Sequence, residues 1–328
     1  MNRLRLPFVA ALIVGSIMTV EWAPAESAAA FPTGNRAITL VVGNTAGGST
    51  DLGARILAAG LEKQFGSPVV VLNKPGANGQ VAYTEVAQSK PDGYFLAATS
   101  SFSMLTTHLD PERKATYNRQ SFAPVANYNT EPFVVAVKAD GPLKTVKDLV
   151  DAARAKPGSI KAGLPGILSG GHIPAVMWSK LAGMQLAEVH FAGAGDAVTA
   201  LLGGHVDVVI LGSGALMSHF KSGSVRALAI LDREENEFYP GVKTLKAQGY
   251  NVEAVNGYGV AAPAGTPKET VDILAAAIDK AMQTDDVKKR MGDLGRSTRF
   301  MGPAAYAAYW LEMETMLKPV VEEITKNR

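Results

Sequence analysis

Short apolar segments alternate with amphipathic stretches along the chain from Arg36 onward. Most of the apolar segments are followed by Gly, Ser, Thr or Asn, the residues that commonly begin a loop after a strand. This alternation predicts an α/β fold in which parallel strands are joined by helices. The predicted strands are residues 38–42, 69–72, 94–98, 133–137, 206–211, 225–231 and 258–262.

The first strand, 38–42, and the helix predicted after it at 51–65 show this pattern clearly. Gly66 is placed to end that helix. The apolar residues that recur at helical spacing are Leu52, Ile56, Leu57, Leu61 and Phe65.

A later helix, 271–282, is preceded by a strong start signal. Thr266 and Glu269 have the spacing of a capping box, and Pro267 lies between them at a position favoured in a first turn. The sequence therefore predicts a side-chain cap at Thr266.

The order of these segments predicts two domains. The middle of the chain has its own strands and helices, while the C-terminal third is too poor in strands for a separate sheet. We therefore expect a discontinuous first domain, 31–127 plus 256–328, and a second domain, 128–255. The chain would cross between them at least twice, which predicts a hinge.

Residues 1–30 have the pattern of an export signal. Arg3 and Arg5 precede an apolar stretch at 6–20, and Ala28 to Ala30 follow as a small-residue cleavage region. The stretch is shorter than the roughly 20 residues of a membrane-spanning helix. We expect cleavage after Ala30 and a mature protein in the periplasm.

Composition excludes several classes of function. With 32 basic and 30 acidic residues among 328, the chain has a net charge of +2 and no basic face for nucleic acid. The absence of cysteine excludes disulfides, thiolate metal sites and a cysteine nucleophile. The five histidines never occur at metal-ligand spacing on one helix, and no glycine loop continues into a P-loop lysine. Neither a metal nor a cofactor is expected.

Four loops rich in glycine and hydroxyl residues lie between predicted strands and helices, at 46–51, 169–172, 192–196 and 212–214. One such loop is typical of an ordinary turn or helix cap. Four such loops together indicate a ligand-binding site, because ligands of open α/β sheets bind where loops gather at the carboxyl ends of the strands. Backbone N–H groups and helix N-termini bind anions there without a basic side chain, so a carboxylate is the expected ligand.

An exported hydrolase is the alternative class. Ser169 and His172 are close in sequence and could act as nucleophile and base with an unspecified aspartate, although no Gly-x-Ser-x-Gly motif is present. A dinucleotide-binding fingerprint, Gly-x-Gly-x-x-Gly, could begin at Gly193, but Val198 occupies its third glycine position and breaks the motif. Asp207, near the start of an apolar strand, is expected either to be hydrogen-bonded there or to face the cleft.

Longer segments carry a resemblance to a known family. They are 38–42 with 46–51, then 69–79, 91–94, 201–207, 225–229 and 262–267. In this order the chain resembles the extracytoplasmic substrate-binding proteins of tripartite tricarboxylate transporters, also called the Bug or TctC family. The matching segments span nearly the whole mature chain.

The resemblance implies a type II-like periplasmic binding protein with two α/β domains, each a mainly parallel sheet flanked by helices, around a hinge and a central cleft. Such a monomeric receptor would capture a dicarboxylate, tricarboxylate, aromatic acid or acidic amino acid. It would deliver the ligand to the membrane permease subunits of the transporter and would not be an enzyme. A receptor that presents its ligand to a sensor kinase is a further alternative.

The resemblance also implies a set of ligand-binding residues in the loops of both domains. Where this family commonly has a tyrosine, the chain has Phe191, and Ala98 stands in place of a glycine. The first loop lacks the family's proline and aromatic residue around Gly43 to Thr45, so the ligand cannot be transferred from a relative. The implied ligand-binding residues are Ala46, Gly47, Gly48, Ser49, Asp51, Thr99, Ser100, Ser169, Gly171, His172, Gly193 and Asp207.

Overall fold

The computed structural model describes residues 31–191 and 193–326, so the predicted export signal lies outside the described residues. Ten strands among these residues form a mixed sheet in the order β2-β1-β3-β9-β4-β7-β5-β6, with β8 and β10 paired to β4. The strands are β1 (Ile38–Val42), β2 (Val69–Asn73), β3 (Phe95–Ser100), β4 (Phe122–Lys138), β5 (Lys161–Pro165), β6 (Ala187–Phe191), β7 (Val208–Gly212), β8 (Val225–Ile230), β9 (Val255–Pro263) and β10 (Ser297–Met301).

Helices cover both faces of the sheet. In β1, for example, Ile38 and Leu40 pack into one core cluster with α1 and α8, while Val41 packs into another with α2, α3 and α10. The helices are α1 (Ser49–Phe65), α2 (Gln80–Ala87), α3 (Ser101–Leu109), α4 (Val146–Ala155), α5 (His172–Leu181), α6 (Ala194–Leu202), α7 (Ser213–Lys221), α8 (Lys268–Gln283), α9 (Asp285–Asp293) and α10 (Pro303–Lys326).

The predicted α/β class is confirmed, with one refinement. Strands β1, β2 and β3 are parallel, as are β5, β6 and β7, but the central strands β4 and β9 pair antiparallel to their neighbours. The 17-residue strand β4 passes through both halves of the sheet. Its residues 122–132 pair with β9, and 133–137 pair with β7.

This topology brings the carboxyl ends of the two parallel groups together. Ser100, at the end of β3, aligns with Tyr258, which aligns with Asn129 of β4. Gly212, at the end of β7, aligns with Phe133 of the same strand. Because β3 and β7 run in opposite directions along β4, the loops that follow them meet over its middle.

Each of the seven predicted strands overlaps an observed one, and the bounds of β1 are the predicted ones. The helix predicted at 51–65 is α1, and Gly66 ends it with a left-handed φ of 63°. The capping box predicted for α8 is wrong. Thr266 Oγ1 donates to the carbonyl oxygen of Pro263, so it does not cap the helix, which begins after Pro267.

Candidate functional site

A cavity of about 970 Å³ lies where the two groups of strand ends meet. Its walls come from the loops that follow β1, β3, β5, β6 and β7, and Glu131 and Phe133 of β4 also line it. The cavity therefore lies at the edge of the sheet where the sequence predicts ligand binding.

Five helices begin at this cavity, namely α1, α3, α5, α6 and α7. The residues at their N-caps all line it, and none of them makes a side-chain capping hydrogen bond: Gly48, Ser100, Gly171, Gly193 and Gly212. The first N–H groups of a helix lack partners within the helix and carry its partial positive charge. Their convergence makes the cavity receptive to an anion.

At the starts of three of these helices, a side chain of the protein accepts a hydrogen bond from one backbone N–H group. The backbone N–H of Phe102 in α3 donates to Asn256 Oδ1 at 3.3 Å, and that of His172 in α5 donates to Ser169 Oγ at 3.3 Å. The start of α7 receives a carboxylate oxygen of Glu131, 2.9 Å from the nitrogen of Gly214. The N-termini of α1 and α6 have no such side-chain acceptor among the described residues.

Glu131 belongs to a buried polar group at the cavity wall. Its second oxygen accepts a 2.6 Å hydrogen bond from Tyr258 Oη and lies 3.7 Å from Nη2 of Arg296. Arg296 Nη1 donates to the carbonyl oxygen of Ser49 at 2.8 Å. The group thereby links the start of α1 to the start of α7.

Both charged side chains of this group, Glu131 and Arg296, are 2% exposed. Burial lowers the pKa of Arg296, but the carboxylate of Glu131 together with Tyr258 and Tyr128 outweighs this effect and the pKa is raised. Removing one partner of a buried pair costs about 3–5 kcal/mol. We therefore expect this pair to fix the geometry of the wall.

Eight of the predicted ligand-binding residues line the cavity, and four do not. Direct ligand contact remains a prediction for the first set, which comprises Ala46, Gly47, Gly48, Ser49, Ser100, Ser169, Gly171 and Gly193. The four that do not line it are Asp51, Thr99, His172 and Asp207, and the structure gives each another role.

Asp51 fixes the conformation of the loop between β1 and α1. Its side chain is 1% exposed and accepts hydrogen bonds from the backbone N–H of Gly47 at 2.8 Å, from Arg55 Nε at 3.0 Å and from Asn73 Nδ2 at 2.8 Å. Burial raises the pKa of Asp51, but these hydrogen bonds outweigh it and the pKa is lowered. Asp51 therefore stays ionised and shapes the loop that lines the cavity.

Thr99 and Asp207 are also engaged within the protein. Thr99 Oγ1 lies 2.8 Å from Tyr306 Oη, both of them buried. Asp207 Oδ2 accepts from the backbone N–H of Lys161 at 2.8 Å, at the amino ends of β5 and β7. The cavity lies at the opposite ends of those strands, so hydrogen bonding at the strand start, the first of the two expectations for Asp207, is confirmed.

His172 supports a loop of the cavity through one hydrogen bond. Its Nδ1 accepts from the backbone N–H of Leu168 at 3.0 Å, and the carbonyl oxygen of Leu168 accepts from Thr106 Oγ1 at 3.0 Å. Leu168 has a left-handed φ of 60°, which is unusual for a residue with a side chain. The residues around it, including Ser169, are thus held between α5 and α3.

The same contacts weaken the hydrolase alternative. Ser169 Oγ accepts the backbone N–H of His172, and the imidazole ring of His172 contacts Leu168 and Glu188 instead of the hydroxyl. A nucleophile needs a hydrogen bond to its base. Ser169 and His172 therefore do not form such a pair in this structure.

His172, Glu188 and His190 form a cluster in which one potential ligand atom from each residue lies within 4.8 Å of the others. Glu188 Oε2 lies 3.0 Å from His172 Nε2 and 3.3 Å from His190 Nε2. Because Nδ1 of neutral His172 accepts a hydrogen bond, its proton is on Nε2, facing Glu188. That nitrogen has no lone pair for a metal, so the contacts favour a proton-sharing cluster over a metal centre.

The sequence reasoning did not identify Glu131, Arg296 and Arg113 as cavity residues. The available signal was Glu131, an acidic residue of β4 that is separated from the apolar run 133–137 by Pro132 alone.

Comparisons with known proteins agree with this geometry. The profile of the family described as "Tripartite tricarboxylate transporter family receptor" (TctC) matches residues 53–325. Protein BugT of Bordetella pertussis is 32% identical, covering 88% of this chain and 87% of its own.

Two solved structures share the fold over most of the chain. One is MatC from Rhodopseudomonas palustris with bound malate, with a TM-score of 0.78, 28% identity and coverage of 89% of this chain and all of MatC. The other is Rpa4515 of R. palustris with adipate, with a TM-score of 0.81, 26% identity and coverage of 89% and 97%.

These matches confirm the predicted resemblance and the two-domain binding-protein fold. They are matches to solute-binding proteins, which confirms the prediction of a receptor rather than an enzyme. In the described part of the chain, no helix has the length and apolar content needed to cross a bilayer. The chain belongs to the TctC family of tripartite tricarboxylate transporter receptors.

Proposed function

We propose that the protein captures a small carboxylate in the cavity over the middle of β4 and delivers it to the permease subunits of a tripartite tricarboxylate transporter. One observation carries the proposal. The helices α1 and α6 begin on one cavity with glycine N-caps, and no side chain of the described residues caps them. A ligand carboxylate can accept the hydrogen bonds that these N-termini offer.

The two helix starts supply complementary walls of the binding site. Gly48 and Ser49 approach from the β1–α1 loop, and Gly193 and Gly195 from the start of α6. A ligand between them bridges the predicted domains, because β1 belongs to one and α6 to the other. The solved structures of MatC with malate and Rpa4515 with adipate support a carboxylate as the ligand class.

Family membership supports delivery to a permease, because the receptors of this family are periplasmic parts of transporters. For this chain we propose export through residues 1–30 and action as a monomer. Uptake of the bound carboxylate by cells lacking the gene, with and without the gene restored, tests delivery. Equal uptake in the two strains contradicts a role in transport.

Calorimetric titration of the mature protein, residues 31–328, tests the binding step. The ligand panel is malate, adipate, citrate, benzoate and glutamate, with glucose as a neutral control. We expect heat of binding with at least one carboxylate and none with glucose. A protein that binds glucose and no carboxylate contradicts the proposal.

Gly195 offers a sharp test of the role of α6. It lies in the first turn of α6 and lines the cavity, and a Cβ atom added there would meet no other atom within 4 Å. An aspartate in a first turn favours the helix, so Gly195→Asp is expected to fold. Its carboxylate would compete with the ligand for the helix N-terminus, and we expect a loss of affinity of roughly tenfold or more.

Gly195→Asn is the matched control, because it has nearly the same shape without the charge. We expect it to bind the carboxylate within about threefold of the wild type, since surface substitutions usually change free energies by less than ~0.5 kcal/mol. Equal affinities of the Asp and Asn variants would show that the ligand does not depend on the start of α6.

A further inference from the structure

Arg113 is a cation of the cavity that the carboxylate site at α1 and α6 does not use. Two of the described side chains that line the cavity are cationic, Arg113 and Arg296, and one is acidic, Glu131. Glu131 and Arg296 pair with each other. Arg113 is therefore the one cation of the described cavity wall whose acidic neighbour, Asp110, does not itself line the cavity.

The surroundings of Arg113 fix its orientation. Its Nε lies 3.4 Å from Oδ2 of Asp110, whose side chain is fully buried. Its carbonyl oxygen accepts a hydrogen bond from Gln80 Nε2 at 3.0 Å. With the backbone held and Nε near Asp110 without a hydrogen bond, the Nη groups of the guanidinium remain for a partner in the cavity.

The cavity wall extends along α3 toward this arginine. It includes Ser100 and Ser103 at the start of the helix, and Asn78, which donates to Thr107 Oγ1 one turn further along. Arg113 follows the last turn of the helix. The nine residues of α3 span about 13 Å, and Arg113 follows the end of this helix that is opposite to Ser100.

We propose that Arg113 binds a second carboxylate of the ligand, and that the ligand is an extended α,ω-dicarboxylate. The inference rests on the proposed function, in which the starts of α1 and α6 bind the first carboxylate. A fork of two N–H groups matches a carboxylate geometrically. A monocarboxylate bound at α1 and α6 offers no group to the Nη side of this arginine, and a longer diacid reaches further along the wall than a short one.

The test compares ligands of equal length that differ at one end. Calorimetry measures the affinities for adipate, hexanoate and ω-aminohexanoate, with succinate as the shorter diacid. For the wild type we expect adipate to bind at least roughly tenfold more tightly than hexanoate, the usual gain from a hydrogen bond between charged groups. Succinate is expected to bind more weakly than adipate. The amine is expected to bind more weakly than hexanoate, because its ammonium would meet Arg113.

Variants then assign the effect to this residue. Arg113→Gln is expected to remove the preference for adipate over hexanoate while leaving hexanoate affinity unchanged. Arg113→Lys keeps the charge without the fork and is expected to retain part of the preference. Arg226→Gln is the matched control, since Arg226 is exposed on β8 and does not line the cavity.

The outcomes separate this inference from the proposed function. An unchanged adipate preference in Arg113→Gln overturns the role of Arg113 alone. Tighter binding of ω-aminohexanoate than hexanoate by the wild type does the same without any variant, so the test stands even if Arg113→Gln fails to fold. Failure of the wild type to bind any carboxylate overturns the proposed function together with this inference.

Discussion

Single residues act on this cavity mostly through the backbone. His172 is an example, because its ring accepts the N–H of Leu168 and so holds the loop that contains Ser169. Asp51 does the same for Gly47. Both residue types are common ligand-binding groups, but here each fixes the position of main-chain donors. Substituting them is therefore expected to move the loops rather than to remove a ligand contact.

The cluster of His172, Glu188 and His190 predicts that stability falls in mild acid. Burial lowers the pKa of His190 below its ordinary value of 6.5, and the neighbouring His172 lowers it further. Below pH 6.5, His190 becomes protonated in the unfolded chain, whereas in the folded chain it takes up the proton only at a lower pH. The free energy of unfolding should therefore decrease as the pH falls below about 6.5.

Glu188 extends this decrease to lower pH. Burial raises the pKa of Glu188, but its hydrogen bonds and electrostatic interactions with His172 and His190 together outweigh burial, so the pKa is lowered. Its stabilising contribution is present above the unfolded value of 4.5 and is lost as the pH falls through its lower folded value.

Melting temperatures measured from pH 7.5 to 4 check this prediction. In the His190→Gln variant, the melting temperature is expected to fall less between pH 6.5 and the folded pKa of His190. In the Glu188→Gln variant, it is expected to fall less at pH values below 4.5. The control is His205→Gln, at an exposed histidine outside the cluster. Parallel curves for wild type and His190→Gln would contradict the assignment.

At the scale of elements, the glycines at the helix starts are not equivalent. A Cβ atom at Gly171 would lie 2.3 Å from the carbonyl oxygen of Ile210 and 2.7 Å from Cδ of Pro165. At Gly193 it would meet no atom within 4 Å, and φ is an extended −158°. Only the first glycine is required by close packing between α5 and the sheet.

This difference predicts opposite results for two alanine substitutions. Gly171→Ala should destabilise the fold by about 1–3 kcal/mol, because backbone atoms must shift to admit the methyl group. Gly193→Ala should change the stability by less than about 0.5 kcal/mol. Denaturant titrations of the two variants measure both values, and equal losses would show that the packing of α5 is not the cause.

Elements with strong periodicity could be predicted from the sequence, and those whose burial comes from distant partners could not. The local pattern predicts both ends of strand β1, and with Gly66 it predicts the end of helix α1, which begins two residues before the predicted start. The first half of β4 contains Asn127, Asn129 and Glu131, all buried, and does not alternate. Its strand conformation depends on pairing with β9 and β10, which no local pattern reveals.

The candidate site could likewise be predicted only in part from the sequence. Loops that contribute main-chain donors have a glycine signature, so their place in the cavity could be predicted from the sequence alone. Arg296 and Arg113 have no such signature, because an arginine near a strand or turn is usually exposed. Only the three-dimensional arrangement of β4 and the starts of α1 and α7 reveals that Arg296 is buried.

At the scale of the whole molecule, the cavity lies at the crossing of the two predicted domains. The predicted boundary at 127/128 falls within β4, and that at 255/256 falls at the start of β9. These strands pair with each other at the junction. We propose that they form the hinge, and that a ligand draws the starts of α1 and α6 together.

Small-angle X-ray scattering checks this motion. We expect a smaller radius of gyration with saturating ligand than without it, because hinge closure around a ligand compacts a two-domain protein. The Gly195→Asp variant, which should not bind, is expected to show the same radius with and without ligand. An unchanged radius in the liganded wild type would argue for a rigid molecule.

The glycine N-caps of α1 and α6 also bear on how such a receptor can change over evolutionary time. A carboxylate bound by main-chain N–H groups does not depend on the identity of any one side chain. Substitutions at wall positions such as Phe102, Phe133 or Arg113 can therefore alter which acid is accepted without abolishing acid binding. The proposed site would thus separate a constant preference for carboxylates, set by the main chain, from a selectivity among acids that is set by the side chains of the wall.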